Sequence, residues 1–284
     1  MMRQYLEIKR QHKDAILFFR LGDFYEMFNE DAELASAELD LTLTSRDRSK
    51  PEGERTPMCG VPYHSSDGYI SRLIAKGYKV AICEQTEDPA QAKGLVNRDI
   101  IRVITPGTVD GSMLEGNQSN YICGIYIDED HAGLSFCDVT TGKTHVTAFA
   151  GAERLDHVMN ELGRFSPAEA VMNSGAFGTP ELVELLRGKF NCLTQSGGDR
   201  RFALEEAAKR VERQYGREAA AALPGSNPAA AMALGGLLSY LYETQKTDLS
   251  YIRDLEYYEE GRFMELDLTA RRNLELTATL RSKE

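Results

Sequence analysis

The pattern of apolar and polar positions divides the first 110 residues into alternating helix-like and strand-like segments. A repeat of about 3.6 residues predicts a helix, whereas a short apolar run or a strict alternation predicts a strand. The predicted helices cover 1–12, 29–39, 67–75 and 89–93, and the predicted strands cover 15–20, 41–45, 78–83 and 99–105. Alternation of the two types predicts an α/β domain with a mixed sheet, which we expect to end near residue 107.

A turn separates the first predicted strand from the helix that follows it. Gly22 and Asp23 supply the turn chemistry, and Phe24 and Glu26 come directly after them. We therefore place Phe24 and Glu26 at a strand-to-helix corner, where the scaffold holds a side chain that can still project from it. Aromatic residues after a turn are also typical of a protein core, and the pattern alone leaves both interpretations open.

The segment between residues 46 and 63 contains two unlike parts. Residues 46–56 form a charged loop with proline and glycine, and such a loop is either a solvated hairpin tip or a basic segment that becomes ordered on nucleic acid. Residues 57–63 contain two prolines and a glycine, which predicts a fixed path without regular structure. The possible phosphate contacts in this part of the chain are Arg46, Arg48, Lys50, Arg55, Lys76, Lys93 and Arg98.

The second half of the chain predicts a separate α/β domain. A linker rich in glycine and serine covers 108–119, and three consecutive strands follow at 121–127, 133–139 and 143–150. Helices are then predicted at 152–164, 180–187 and 203–215, with strands between them at 169–173 and 191–195. The remaining predicted segments are a helix over 227–245 that contains Gly235-Gly236, an extended passage out of the domain over 253–260, and a new helix from residue 269. Tight packing or a kink is the predicted reason for the glycine pair.

The charge of the chain limits what its two halves can bind. The net charge is −11, which argues against binding duplex DNA by bulk electrostatics, because phosphate neutralisation supplies most non-specific affinity. Residues 1–108 hold 15 Lys and Arg against 17 Asp and Glu, whereas residues 109–284 hold 18 against 27. The acidity therefore lies mostly in the second half, and a DNA contact by the first half remains possible.

Candidate enzyme chemistry is sparse in the sequence. The five cysteines are odd in number and form no C-x-x-C pair, which indicates neither a disulfide framework nor a zinc ribbon. Cys59 and His64 suggest a hydrolase pair, but no Asp or Asn stands at a recognisable spacing to orient the histidine. No apolar run is long enough to span a membrane and no signal peptide is recognisable, so we expect a cytoplasmic protein.

Several short blocks occur in an order that resembles the MutS family of DNA mismatch-repair proteins. The blocks are Gly22-Asp23-Phe24-Tyr25-Glu26, Pro57-Met58-Cys59-Gly60-Val61-Pro62-Tyr63-His64, Val80-Ala81-Ile82-Cys83-Glu84-Gln85 and Val103-Ile104-Thr105-Pro106-Gly107-Thr108. The resemblance continues in residues 136–142 and 266–276, so it covers nearly the whole chain.

This resemblance implies a domain organisation. Residues 1–107 would be a mixed-sheet α/β mismatch-recognition domain, and 108–119 a linker. Residues 120–250 would be a connector domain with a ribonuclease-H-like α/β fold, and 251–284 would begin an all-α lever domain at its first helix. We accordingly expect the chain to be an N-terminal fragment, monomeric by itself and weak in DNA binding, of a protein that forms a homodimer at full length.

The resemblance also implies the site and the partners. Phe24 would stack on a mispaired base from the minor groove, and Glu26 would hydrogen-bond the same base. The expected partners are mismatched double-stranded DNA and, through the connector domain, a MutL-type protein. ATP and Mg²⁺ are used by the family, but this sequence contains no G-x-x-x-x-G-K-[ST] block, so we expect no cofactor and no enzyme activity in this chain.

Two alternatives from other functional classes remain. The ribonuclease-H-like half could be a metal-dependent nuclease with Asp138 as a ligand, although no second and third carboxylates are recognisable at suitable places. The chain could instead be a protein-interaction module that binds no DNA by itself.

Overall fold

A computed structural model describes residues 1–47, 49, 51–87, 96–109, 113, 119–223, 225 and 227–259. In these ranges the chain forms two compact units, one from the first 118 residues together with Tyr242–Asp248, and the other from Ser119–Leu241 together with residues from Leu249 on. Each unit contains a six-stranded mixed sheet, which confirms the predicted α/β class. The domain boundaries at 107, 119 and 250 stay predictions. No helix in the described ranges has the length and apolar content needed to cross a membrane.

In its described residues the first unit contains one sheet with α-helices on both faces. In chain order its elements are α1 (Met2–Gln11), β1 (Ala15–Leu21), β2 (Phe24–Phe28), α2 (Glu30–Leu39), β3 (Thr44–Ser45), β4 (Pro57–Pro62), α3 (Ser66–Ala75), β5 (Lys79–Gln85) and β6 (Arg98–Ile104). The strand order is β3-β4-β2-β1-β5-β6. Only β1 and β5 pair in parallel, and the other neighbours are antiparallel. The sheet is therefore mixed.

Helices cover both faces of this sheet. Buried residues of α2 and α3, such as Ala35 and Leu73, pack with Tyr25 and Met27 on one face. On the other face Tyr5 of α1 packs with residues that include Phe19 and Phe28. Because successive strand residues point to opposite faces, Phe24, Glu26 and Phe28 share the α1 face, whereas Tyr25 and Met27 share the α2/α3 face.

A buried aspartate fastens α1 and α2 to the central strand. Asp31 Oδ2 accepts hydrogen bonds from the Tyr5 hydroxyl at 2.8 Å and the Leu17 amide at 3.1 Å, and its Oδ1 accepts one from Lys9 Nζ at 2.8 Å. The Tyr5 hydroxyl also lies 3.1 Å from the Phe28 carbonyl oxygen. One buried carboxylate thus joins α1, α2 and β1. A charge buried there would lower the stability of the fold if it had no partners.

Three local predictions in the first unit are wrong. The corner at Phe24 joins two strands, not a strand and a helix, because β2 pairs with β1 from Leu21 and Phe24 onward. The path over 57–63 is largely the strand β4, whose prolines stand at its first and last positions, where a missing amide is tolerated. The strand predicted over 41–45 is reduced to the two residues of β3. The helix predicted over 89–93 lies outside the described residues.

The second unit places five strands in the order expected of a ribonuclease-H-like fold and adds a sixth. Its elements are β7 (Tyr121–Ile127), β8 (His131–Asp138), β9 (Lys143–Ala150), α4 (Arg154–Phe165), β10 (Glu169–Met172), α5 (Ser174–Phe177), α6 (Pro180–Glu184), a π-helical turn (Leu185–Lys189), β11 (Leu193–Ser196), α7 (Leu204–Tyr215), α8 (Arg217–Ala221), α9 (Ala229–Gln245) and β12 (Asp254–Tyr257). The strand order is β11-β10-β7-β8-β9-β12. β7, β8 and β9 are antiparallel, and β10 lies parallel to β7.

The sixth strand corrects one prediction. The segment 253–260 was expected to lead out of the second domain, but β12 pairs in parallel with β9 from Asp254 to Tyr257 and so extends the sheet. After the strand, Tyr258 is buried with Phe165 in the core of this unit. The helix predicted from residue 269 lies outside the described residues.

The glycine pair of α9 is a site of close packing. A Cβ atom at Gly235 would lie 2.3 Å from the Cα of Ala207 in α7, and one at Gly236 would lie 2.4 Å from the Phe202 ring. The helix is continuous through both glycines, and these close contacts confirm tight packing as a reason for them.

Replacing Gly235 with alanine is expected to lower the free energy of unfolding of the second unit by about 1–3 kcal/mol, the usual cost of overpacking. The Cβ meets backbone atoms of Ala207, which cannot rotate away. The measurement is native-state hydrogen exchange of the amides in α7 and α9. Gly188→Ala is the matched control, because a Cβ there meets no atom within 4 Å. A Gly235 variant as stable as this control would contradict the prediction.

Candidate functional site

The candidate site is the end of the β1–β2 hairpin on the α1 face. Leu21 pairs with Phe24, so Gly22 and Asp23 form a two-residue turn. Gly22 has φ +58° and Asp23 is not in the left-handed region, which is the pattern of a type II′ turn. Phe24, at the first position of β2, is 46% exposed. A large apolar residue is thus exposed at the end of a paired hairpin.

Tyr25 points to the opposite face and has a structural role. Its ring is buried and lies 5.9 Å from the Phe18 ring, and its hydroxyl donates a short hydrogen bond to Glu84 Oε1. Burial, together with the hydrogen bond to Glu84, raises the pKa of Tyr25 above its usual range. This anchoring fixes the orientation of β2, and the alternation of the strand then directs Phe24 and Glu26 to the α1 face.

Glu26 lies beside Phe24 in a partly dehydrated setting. Its side chain is 21% exposed, and the Arg46 Nη1 atom stands 3.6 Å from its Oε2. That oxygen is buried and has no hydrogen-bond partner in the described part of the chain. Burial raises the pKa of Glu26, and the positive charge of Arg46 partly opposes this shift. The carboxyl group therefore has a buried acceptor that no described donor uses, on the sheet face that also carries Phe24.

Gly60 is a residue of this site that the sequence interpretation did not single out. It pairs with Glu26 across the β2–β4 ladder. A Cβ atom there would lie 3.1 Å from the Tyr25 carbonyl oxygen and 3.5 Å from Glu26 Cγ. The absence of a side chain leaves space beside the carboxylate. The only signal in the sequence was the position of this glycine within the block from Pro57 to His64.

Two of the proposed phosphate contacts lie near Glu26 or its cross-strand neighbour Phe19. Arg46 forms the ion pair with Glu26 and has a half-exposed side chain. The Arg98 guanidinium lies 5.1 Å from the ring of Phe19, and Phe19 is the cross-strand neighbour of Glu26. The structure therefore brings Arg46 and Arg98 to the α1 face, although they are 52 positions apart in the chain.

The other proposed phosphate contacts are not brought to this point. Lys76 lies at the end of α3, in the helix layer on the opposite face of the sheet, where its Nζ is 2.6 Å from Glu38 Oε2. Arg55 is half-buried in the loop before β4. Arg48, Lys50 and Lys93 lie outside the described residues. The assignment of backbone contacts to all seven cations stays a prediction.

The geometry gives the enzyme alternatives no support. The Cys59 thiol is buried and donates to the Ala32 carbonyl oxygen at 3.4 Å, and burial raises its pKa to about 11. A thiol in that state is a poor nucleophile at neutral pH. The Asp138 Oδ1 atom accepts hydrogen bonds from the Thr140 amide at 2.9 Å and its hydroxyl at 2.6 Å, so this carboxylate closes the turn after β8.

Replacing Glu26 with glutamine is expected to raise the melting temperature of the chain at pH 7. Because burial raises the pKa of Glu26, the folded state holds a proton at this site more tightly than the unfolded state does. The free energy of unfolding of the parent therefore falls as the pH rises through the folded-state pKa, whereas the neutral glutamine avoids that loss. Below the unfolded-state pKa of about 4.3, parent and variant should melt alike.

The control for this prediction is Glu7→Gln on α1. Glu7 is exposed and forms no ion pair with any described residue, so its variant removes a carboxylate that is not buried and should melt close to the parent at pH 7. A Glu26 variant that melts no higher than the parent at pH 7 would show that burial of the carboxylate does not cost stability.

Comparison with known proteins gives the family. Sequence profiles described as MutS domain I and MutS domain II match residues 1–112 and 120–253. The chain is 47% identical over its whole length to the DNA mismatch repair protein MutS of Acetivibrio thermocellus, and covers 32% of that protein. It is 48% identical over 99% of its length to the protein of the same name from Pelotomaculum thermopropionicum, again covering 32% of it. The chain thus spans about a third of the length of these relatives.

Proposed function

The chain belongs to the MutS family, and from this premise we propose that it recognises mismatched double-stranded DNA in DNA mismatch repair. The observation that carries the proposal is the exposed Phe24 ring on a rigid hairpin, next to the half-buried carboxyl group of Glu26. We assign Phe24 as a wedge that enters the minor groove and stacks on one base of a mispair.

The energetics of base stacking account for the discrimination. A wedge unstacks a base step and kinks the duplex, at a cost of a few kcal/mol per step. A mispaired base is already poorly stacked and paired, so its displacement costs less than that of a paired base. Stacking of a base on the aromatic ring contributes about 1–3 kcal/mol and depends little on which base it is. One phenylalanine can therefore serve many kinds of mismatch.

Glu26 adds selectivity by charge. A carboxylate near phosphates is repelled, and its burial makes it still less tolerant of an unfavourable neighbour. Intact duplex offers this group no donor, whereas a displaced base can donate a hydrogen bond to the exposed part of the carboxyl group. Glu26 therefore weakens binding to matched DNA more than binding to a mispair.

The experiment that tests this function is a competition assay with the complete protein. Matched and mismatched duplexes of equal length compete for the protein, and the ratio of their dissociation constants is compared between the parent and a variant without the Phe24 ring. Loss of the ratio in the variant supports the wedge, and equal ratios contradict it.

We further propose that the second unit is a connector that docks a MutL-type partner, and that the complete protein acts as a homodimer. The observation that favours an interaction role is the net charge of −9 over residues 109–284, which makes DNA an unsuitable ligand for this half. The alternative is an interaction module that binds no DNA by itself. Two parallel pull-downs test it, one with DNA and one with the partner protein, and capture by the partner alone would support the alternative.

We assign the binding and hydrolysis of ATP, which the family carries out, to no residue of this chain. The sequence contains no G-x-x-x-x-G-K-[ST] block, so nothing in it fits the phosphates of ATP with Mg²⁺ by that route. Because bacterial chromosomal DNA lies in the cytoplasm, we propose that the protein acts there, at the nucleoid.

A further inference from the structure

The N-terminal end of α1 lies between the two arginines that flank the candidate site. Arg46 Nη1 lies 3.3 Å from the Met1 sulfur, and Arg98 Nη1 donates a hydrogen bond to Gln4 Oε1 at 3.3 Å. Lys9 Nζ donates to the Ala15 carbonyl oxygen at the start of β1, and Arg98, which holds Gln4, also donates to the Arg20 carbonyl oxygen near the end of β1. The helix α1 therefore runs antiparallel to β1, and its first turn is at the end of β1 that leads into Phe24. Arg3 belongs to this first turn.

Arg3 differs from most described cations of the first unit because it has no anionic partner. Arg3 and Arg10 are exposed, and neither forms an ion pair or hydrogen bond through its side chain with any described residue. Other cations of this unit are engaged by nearby carboxylates, in the pairs Lys9–Asp31, Arg20–Glu84, Arg72–Asp40, Lys76–Glu38 and Lys79–Asp14. The charge of Arg3 is therefore available to an external anion.

The direction of Arg3 follows from the packing of α1. Tyr5 is the buried residue of this helix and points to the sheet. Successive residues of an α-helix are turned by 100° around its axis. Arg3, two residues before Tyr5, and Arg10, five residues after it, therefore both lie on the far side of the helix and point away from the sheet. They share one exposed face, and Arg10 lies about 10.5 Å farther from the Phe24 end.

We propose that Arg3 contacts a DNA phosphate next to the base that Phe24 engages, so that the first turn of α1 is part of the DNA interface. This inference rests on the proposed function and adds a contact to the DNA backbone. The occupant follows from charge: the first 108 residues have a net charge of −2, so an unpaired arginine between Arg46 and Arg98 is a local exception that suits a polyanion.

A phosphate contact has a signature that distinguishes it from a base contact. It supplies affinity without sequence information, and each phosphate neutralised releases counterions. Removal of Arg3 should therefore weaken binding to matched and mismatched duplex by the same factor. The logarithm of the association constant falls linearly with the logarithm of the salt concentration. Removal of Arg3 should make the slope of this line shallower by about 0.9.

The experiment is a salt titration of the complete protein on a fluorescent duplex, read by anisotropy, with the variants Arg3→Gln and Arg10→Gln. For Arg3→Gln the ratio of parent to variant association constants is expected to fall about 3.5-fold between 50 and 200 mM salt, as a slope change of about 0.9 requires. Arg10→Gln is the matched control on the same face of the same helix, and its slope should equal that of the parent.

Three results would overturn the inference: an unchanged slope for Arg3→Gln, an equal loss of slope for Arg10→Gln, or a changed preference for mismatched over matched DNA in the Arg3 variant. The slope on matched duplex tests Arg3 alone, whereas the preference of the parent tests the proposed function. A failure of the Arg3 contact is thus distinguishable from a failure of the proposed mismatch recognition. Both arginines are exposed, so the variants should fold as the parent does.

Discussion

Replacing Phe24 with alanine in the complete protein is expected to abolish the preference for mismatched over matched duplex. The ring is the only part of Phe24 that can stack on a base, and stacking contributes about 1–3 kcal/mol, or roughly 5- to 150-fold in relative affinity. Binding to matched duplex should change little, because it depends on phosphate contacts. The measurement is the ratio of the two dissociation constants in a competition assay.

A second exposed apolar residue provides the control for this experiment. Leu43 has the same exposed fraction as Phe24, 46%, and lies in the same unit just before β3. Leu43→Ala removes exposed apolar surface without touching the hairpin, so its preference ratio should equal that of the parent. If Phe24→Ala also keeps the parent ratio while it binds and melts normally, the wedge role is lost.

Replacing Asp31 with alanine is expected to lower the free energy of unfolding of the first unit by about 3–5 kcal/mol. Asp31 is only 5% exposed, and its removal leaves the Leu17 amide without its side-chain acceptor and Lys9 Nζ without its carboxylate. The Tyr5 hydroxyl and Lys9 Nζ keep the carbonyl oxygens of Phe28 and Ala15, so the size of the loss comes mainly from the broken ion pair. Native-state hydrogen exchange of the β1 amides measures it within this unit, independently of the other.

A surface ion pair supplies the contrast for Asp31. Asp40 is almost fully exposed and stands 3.6 Å from Arg72 Nη2, so Asp40→Asn should cost less than about 1 kcal/mol. The asparagine also tolerates the left-handed conformation of this position, φ +57°. Equal losses at Asp31 and Asp40 would show that burial does not set the strength of these pairs.

Stability and recognition are linked in this unit through α1. Asp31 holds α1 against β1, and the first turn of α1 lies beside Arg46 and Arg98. A loss at Asp31 should therefore loosen the surroundings of Glu26 although the aspartate touches no part of the candidate interface. This connection was not predicted from the sequence, since the partners of Asp31 are 14 to 26 positions away in the chain.

The long periodic segments of the sequence were predicted well, and the short irregular ones were not. The strands over 121–127 and 143–150 have the predicted bounds, and α1, α4 and α7 differ from theirs by one or two residues. β4 was missed because two prolines and a glycine outweighed its apolar alternation, although both prolines occupy the strand ends. β12 was missed because its acidic pattern gives no sign of the parallel partner that stabilises it.

The sequence by itself determined the family and the α/β class. Both follow from local order, since helices and strands each have their own period and the signature blocks are contiguous. Only the tertiary structure decided that the Phe24 ring is exposed, that Glu26 is half-buried beside Arg46, and that Arg98 and Arg3 lie near the same end of the sheet. Exposure and charge pairing depend on segments far apart in the chain, and local patterns carry no record of which distant segments will meet.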